Sequence, residues 1–238
     1  MAKNTQLNIM LLFSLTVSLF GLLTILVLVL RPPTVQESIF WRKPLVGSIF
    51  TVICFLGSVA IFFPEKCSEA SHSLKKDKEV SSPRGSSSNN TAVKFRGHHP
   101  DCGRYRAHVI KRNGETACAA CSGLLLGSVI AVIGTAIYFF VGWSLANAGL
   151  LLVLIGEVGI LSGFIQFKFE GYSRLFLNTC FVLGAFLILV GIDAIAENLL
   201  IDLYVIIIVA FWIWTRILIS QWDHMRICNS CSVPCELK

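Results

Sequence analysis

Charge is what this chain has least of. Asp, Glu, Lys and Arg together make up 14% of its 238 residues, against about a quarter in soluble globular domains. Hydrophobic residues reach 55% and the mean hydropathy is +0.72. These values exclude an ordinary soluble enzyme, a secreted disulfide miniprotein and a disordered chain. Nucleic acid is excluded as a partner as well. The net charge of +6 is carried by polar segments between apolar runs, not by one basic face. No ten-residue alternation of apolar and polar residues occurs, so a transmembrane β-barrel is a poor reading. No Gly-x-Ser-x-Gly, His-Glu-x-x-His or phosphate-loop pattern is present, which leaves hydrolase and ATPase readings without support. No catalytic residue is assigned, and an enzyme is the less favoured class.

What the chain does have is long apolar runs. Six can be read, over roughly 7–30, 45–63, 123–142, 145–167, 175–192 and 200–220. About 20 helical residues cover a ~30 Å hydrocarbon core, so each run fits one transmembrane helix. The expected fold class is all-α: a polytopic membrane protein of six transmembrane helices, with the lipid bilayer as its main surroundings. The first run has neither an upstream basic cluster nor a small-residue cleavage site. It continues into Arg31-Pro32-Pro33 and reads as a retained anchor, not a signal peptide.

Basic residues set the expected orientation. One side of a six-span chain collects Lys3, eleven Lys or Arg between Lys66 and Arg112, Lys168, Arg174, Arg226 and Lys238. The other holds only Arg31, Arg42 and Lys43. The basic side is cytoplasmic by the positive-inside rule. Both termini are therefore expected inside a cell membrane crossed several times. Arg216, near the inner end of the last run, is expected to snorkel to the interface.

Five segments follow. Residues 1–66 form a two-helix membrane hairpin. Residues 67–92 are Ser-rich and almost free of large apolar groups, so they read as a disordered cytoplasmic linker. Residues 93–122 form a Cys/His loop in which Asn113-Gly114 marks a short hairpin. Residues 123–222 make a four-helix bundle, and 223–238 a Cys-rich cytoplasmic tail.

Placement of the nine cysteines matters more than their number. Cys54 and Cys180 lie within apolar runs, where a thiol acts as a small hydrophobe. Six others form two groups on the expected cytoplasmic side, where thiols stay reduced and a metal or redox site outweighs disulfides. The first is His99-x2-Cys102-x15-Cys118-x2-Cys121, the spacing of a zinc knuckle with His for one Cys. A hairpin would bring the two tight turns together into a closed, structural Cys3His set for Zn2+. His98 could replace His99. The bland alternative is accidental spacing, and a redox Cys-x-x-Cys is a third reading. The second group is Cys228, Cys231 and Cys235, with His224 just upstream. It reads as a second metal site, as lipidation or redox cysteines, or as having no role. An iron–sulfur cluster is less favoured, because only three Cys are present. Both groups could also converge on one centre.

The run Cys118-Ala-Ala-Cys121-Ser-Gly123-Leu-Leu-Leu-Gly127, with Arg104 and Arg106 upstream, resembles a domain-of-unknown-function family. Its members are small prokaryotic multi-pass membrane proteins with a C-x-x-C-x-G-x-x-x-G signature entering a transmembrane helix. The likeness covers about residues 98–127. It departs from the family pattern at Ala119-Ala120, where an Arg is usual, and at His98-His99-Pro100-Asp101-Cys102 in place of a Cys-His opening. The C-terminal cysteines are also outside that pattern. The resemblance implies a prokaryotic membrane protein, archaeal sources included, and brings no activity with it.

Within the spans, Gly123/Gly127 and Gly159/Gly163 form two GxxxG patterns, which lead to the expectation that spans three and four pack together. Glu157 is the one acidic residue near mid-span. It is either a functional site or a protonated carboxyl bonded to a neighbouring helix. Asp193, Glu197 and Asp202 gather at the expected outer end, as a cation site or as a solvated helix end. The favoured reading is a scaffold or regulatory protein with a structural zinc loop, acting with a membrane-protein partner or as a homo-oligomer. A small cation or solute transporter using Glu157 and the acidic trio is the first alternative, a thiol oxidoreductase the second.

Overall fold

The computed structural model describes residues 2–32, 40–62, 95–96, 108–112, 115–143, 145 and 148–229. Six long helices organise them: α1 Ala2–Leu30, α2 Arg42–Phe62, α3 Ala119–Thr135, α4 Gly149–Ile165, α5 Gly171–Ala196 and α6 Leu199–Asn229. All six are long and apolar enough to cross a membrane. In hydrocarbon each backbone N–H and C=O must be bonded within the segment, so an apolar run of this length has the helix as its open-chain solution. Large apolar side chains such as Phe13, Phe20, Phe55, Val158, Phe176 and Ile207 are exposed on the outside, as a lipid-facing surface requires. The architecture is that of a multi-pass helical membrane protein.

The ends of the helices follow local chemistry. Pro32 lies just past α1, and a proline cannot continue a helix. Pro44 is tolerated in the first turn of α2, where the backbone N–H has no helical acceptor. Glu197 ends α5 in the left-handed region (φ 45°). Asn198 then caps α6, its Oδ1 accepting from the N–H groups of Leu200 at 3.0 Å and Ile201 at 3.3 Å. The last helix runs nine residues beyond the expected end of its apolar run, through Asp223, His224 and Arg226.

A small sheet precedes α3. Strand β2 (Val109–Arg112) pairs antiparallel with β3 (Glu115–Cys118), with Val109 opposite Cys118 and Arg112 opposite Glu115. This is the hairpin that Asn113-Gly114 foretold. An unforeseen strand, β1 (Phe95–Arg96), adds in parallel to β3. At its far end α3 passes into a π-helical segment, Ala136–Val141, which Gly142 ends in the left-handed region.

The bundle is built around α5, which packs against α3, α4 and α6, while α1 packs on α6 and α2 on α3. Here the expectation of a direct pairing between spans three and four is corrected. Both glycine stripes meet α5 instead. A Cβ at Gly127 would stand 2.9 Å from Val182 Cβ, and one at Gly159 2.5 Å from the Cys180 carbonyl oxygen. GxxxG marks a smooth helix face without naming its partner. Polar bonds add to the seam between α1 and α6: Ser18 to Thr215 at 2.8 Å, Thr24 to Tyr204 at 2.6 Å, and Trp212 Nε1 to the Ser18 carbonyl at 3.2 Å.

Candidate functional site: two buried charge clusters and a cysteine turn

Two polar clusters sit at opposite ends of the bundle. Arg174 and Asp193 lie 19 positions apart on α5, about 28 Å at 1.5 Å per residue. That is one hydrocarbon thickness, so each cluster falls at one edge of the apolar belt.

At one end, Arg42 opens α2 and is only 3% exposed. Its Nη1 donates to Asp193 Oδ1 at 2.6 Å and to Asp202 Oδ2 at 2.5 Å. Tyr138 donates its hydroxyl to Asp193 Oδ2 at 2.8 Å. Lys43 Nζ lies 3.8 Å from the same oxygen and 4.9 Å from the centre of the Tyr138 ring. Tyr138 belongs to the π-helical segment, whose wider turn lets Tyr138 and its neighbour Phe139 both face inward. The acidic trio therefore divides. Asp193 and Asp202 are fully buried and share a guanidinium, while Glu197 is exposed as the cap of α5. Neither a solvated helix end nor an open cation site describes the pair, because Arg42 stands where a cation would. Asp202 Oδ1 is buried and has no hydrogen-bond partner among the described residues.

At the other end, Arg174 is buried at the start of α5. Its Nη1 lies 3.1 Å from His108 Nε2, and its Nη2 donates to Asp223 Oδ2 at 3.2 Å. Asp223 also lies 3.4 Å from His108 Nε2 and accepts from Arg226 at 3.3 Å. The rings of His108 and His224 are 5.5 Å apart. One turn further in, Arg216 donates Nε and Nη2 to Asn178 Oδ1 at 3.1 and 2.7 Å, and Asn178 Nδ2 donates to the Arg174 carbonyl at 2.7 Å. The snorkelling expected of Arg216 is thereby corrected. At 8% exposure it turns inward to an amide on α5. Gln166, fully buried at the end of α4, has no hydrogen-bond partner for either amide atom among the described residues.

The first cysteine group meets this end. Cys118 is the last residue of β3 and the N-cap position of α3, and Cys121 lies in the first turn. Cys118 is buried and Cys121 half-buried. Thr179 donates to the Gly123 carbonyl at 3.0 Å, so this turn is seated on α5 beside Asn178. Its proposed co-ligands His98, His99 and Cys102 lie outside the described residues, as do Cys231 and Cys235 of the second group. Cys228 lies in the last turn of α6. Among the described residues no three His, Cys, Asp or Glu side chains are grouped to hold a metal ion.

Mid-membrane, Glu157 is half-buried on α4, and its Oε1 is enclosed without a hydrogen-bond partner among the described residues. It makes no hydrogen bond to Asn178, Asp193 or Glu197, polar neighbours that a transport pathway would use, and Asn147, a fourth such neighbour, lies outside the described residues.

Sequence reasoning missed Arg42, Tyr138, His108, Arg174 and Asp223 as buried partners. One signal was available for Arg42. Two acids at the membrane edge on facing helices need a nearby cation, and Arg42-Lys43 is the one basic pair on that side. With the chain's geometry in view, comparisons find no matching family model, no matching curated protein and no matching solved structure.

Proposed function

We propose that this chain is a scaffold or regulatory protein of a prokaryotic cell membrane, with both termini cytoplasmic and a structural zinc centre on the loop before α3. His99, Cys102, Cys118 and Cys121 are the ligands, with His98 as a substitute for His99. Zn2+ clamps that loop to the bundle and creates a docking surface for a membrane-protein partner or a second copy of the chain. His224, Cys228, Cys231 and Cys235 form a second metal set in the tail.

The observation that carries the reading is the β2–β3 hairpin, which delivers Cys118 and Cys121 together at the first turn of α3. Two cysteines spaced in this way at a tight turn are what one half of a four-ligand knuckle would need. Transport receives less support. Arg42 stands between Asp193 and Asp202, and Glu157 Oε1 has no polar partner among the described residues.

Metal analysis of the detergent-purified full chain tests the proposal. About one or two zinc ions per chain are expected, one for each four-ligand set. Cys118→Ser should lower the bound zinc and loosen the loop while leaving all six spans inserted. A second reading, a thiol oxidoreductase, draws on Cys118-x-x-Cys121 opening a helix, an arrangement shared with dithiol oxidants. A zinc-free protein with a reducible Cys118–Cys121 disulfide would replace the zinc reading with that one.

A further inference from the structure

Three buried polar atoms at the Cys118 end have no hydrogen-bond partner among the described residues: both amide atoms of Gln166, and Nε of Arg174. The packing of α4 on α5 puts them at one level. Gly156 faces Gly184 and Ile188, Gly159 faces Cys180 and Gly184, and Gly163 faces Phe181. The Ser162 hydroxyl lies 3.4 Å from the Leu177 carbonyl oxygen. Residues three and four apart share a helix face, so one more turn of this antiparallel seam brings Gln166 level with Arg174. Contacts with α6 agree. The rings of Phe167 and Trp222 are 5.7 Å apart, and the residue after Trp222, Asp223, accepts from Arg174. Gln166 Oε1 is of the right type to accept from Arg174 Nε–H. That pairing leaves the amide N–H groups of Gln166 as donors without an acceptor, beside a guanidinium.

Charge at this end is out of balance in the same sense. Arg174 and Arg216 are both buried, and Asp223 is the one buried carboxylate at this end among the described residues. Asp223 also serves Arg226, while Arg216 bonds to the neutral oxygen of Asn178. Lys168 and Glu170 are both exposed on the connection between α4 and α5 and offset each other. The surplus is positive and the unused groups are donors, so the fitting partner is an anion with acceptor oxygens. An open cleft of about 390 Å3 adjoins the same turns, lined by Phe169, Tyr172, Ser173, Phe176 and Leu177. Leu177 joins the two features: it lines the cleft, and its carbonyl faces α4. Tyr172 and Phe176 are 63% and 65% exposed. They stand at an edge of the apolar belt, where aromatic rings settle at headgroup level. A phospholipid has matching halves, an acyl chain for the aromatic cleft and a phosphate for the donors.

We infer that the elbow between α4 and α5 binds one anionic phospholipid, its phosphate taken by Gln166 Nε2 and the Arg174 guanidinium and its acyl chain lying along Phe169, Tyr172 and Phe176. The inference is independent of any metal in the loop before α3. Gln166 lies in the short 3-10 turn Gln166–Lys168 and not in α4 itself, so a shift of that turn carries its amide to the mouth of the cleft. Hydrogen bonds to an ionised phosphate are stronger than those to a neutral acceptor. Arg174 is tied to α6 through Asp223, so the lipid bridges the connection to the α5–α6 pair. The buried positive surplus selects an anionic headgroup over a zwitterionic one.

The test is a titration of the full-length chain, in micelles of an uncharged detergent, with phosphatidylglycerol, and separately with phosphatidylcholine of the same chains. Mass spectrometry of the intact complex counts the lipid retained. One phosphatidylglycerol per chain should be held at least about tenfold more tightly than phosphatidylcholine, the usual worth of an added charge-assisted bond. Gln166→Leu should weaken phosphatidylglycerol binding by about tenfold or more. Its helix content and unfolding midpoint should not fall, because the change removes two unsatisfied buried atoms. Phe176→Ala lies on the exposed face of α5, so it leaves the fold intact and should also weaken the lipid. Excess inorganic phosphate should not displace the lipid, since it has nothing to place in the cleft. Equal retention by the unaltered chain and Gln166→Leu, or equal retention of the two lipids, would overturn the inference. So would displacement by inorganic phosphate with Phe176→Ala without effect, which would make the occupant a free anion. If Gln166→Leu does not fold, Phe176→Ala and the comparison of the two lipids still decide.

Discussion

Arg42 Nη1 lies 2.6 Å from Asp193 Oδ1, joining the start of the second span to the end of the fifth across 151 positions of sequence. The same nitrogen reaches Asp202 on the sixth. Three helices are thus pinned at one membrane edge by a single guanidinium. The arrangement costs desolvation of every member, and its value lies in what happens when one member is removed.

Arg42→Met should therefore be strongly destabilising, by about 3–5 kcal/mol, because it strands buried carboxylates. The combination Arg42→Met, Asp193→Asn and Asp202→Asn should recover most of that loss, since no buried charge remains unpaired. Equilibrium unfolding in detergent reads both changes. A mild Arg42→Met phenotype would mean that Lys43 swings in to replace it.

Glu157 separates a scaffold from a transporter. Its enclosed Oε1 lacks a hydrogen-bond partner among the described residues, so the carboxyl contributes little to packing. Glu157→Leu should leave the fold intact or stabilise it by about 1 kcal/mol, because an unsatisfied polar atom is removed. Glu157→Gln should be nearly silent. Proteoliposomes loaded with a pH-sensitive or cation-sensitive dye should show no Glu157-dependent flux. Flux that disappears in Glu157→Gln would restore the transport reading.

Orientation has its own measurement. Single cysteines placed at Asn4 and Glu236, in a background whose native cysteines are removed one group at a time, should resist a membrane-impermeant thiol reagent in intact cells. They should react once the membrane is opened. Labelling of either from outside would reverse the topology, and with it the cytoplasmic setting of the Cys118 loop.

What was legible in the sequence, and what was not, divides along physical lines. The six spans could be read because lipid imposes a length and a composition on each helix separately. The β2–β3 hairpin could be read because Asn-Gly is a local turn signal. Arg42 could not be read as a partner of Asp193 and Asp202: pairing is set by tertiary approach, and basic residues at a span edge look alike whether they face water or an acid. Arg216 misled for the same reason. A long cationic side chain near a helix end usually snorkels, and only the position of Asn178 on the neighbouring helix turns it inward. Of the four ligands proposed for the first metal site, Cys118 and Cys121 stand at the end of β3 and in the first turn of α3. His99 and Cys102 are outside the described residues.

The helix pairing around α5 makes the last prediction. Gly159 on α4 and Gly184 on α5 approach so closely that a Cβ at Gly159 would lie 2.5 Å from the Cys180 carbonyl oxygen and 2.9 Å from Gly184 Cα. These contacts are with backbone, which cannot rotate aside as a side chain can. Gly159→Leu must therefore push α4 away from α5, forfeiting dispersion contacts along the whole seam, and in lipid such contacts are a main source of helix association. The loss should amount to about 1–3 kcal/mol or more, the usual cost of overpacking a close contact, and should lower the midpoint of thermal unfolding. Gly57 on α2 is the matched control. A Cβ there meets no atom within 4 Å, so Gly57→Leu should leave stability unchanged or slightly raised. Limited proteolysis of the 166–170 connection between α4 and α5 should accelerate in Gly159→Leu alone. Equal behaviour of the two variants would mean that α4 does not pack on α5 through Gly159.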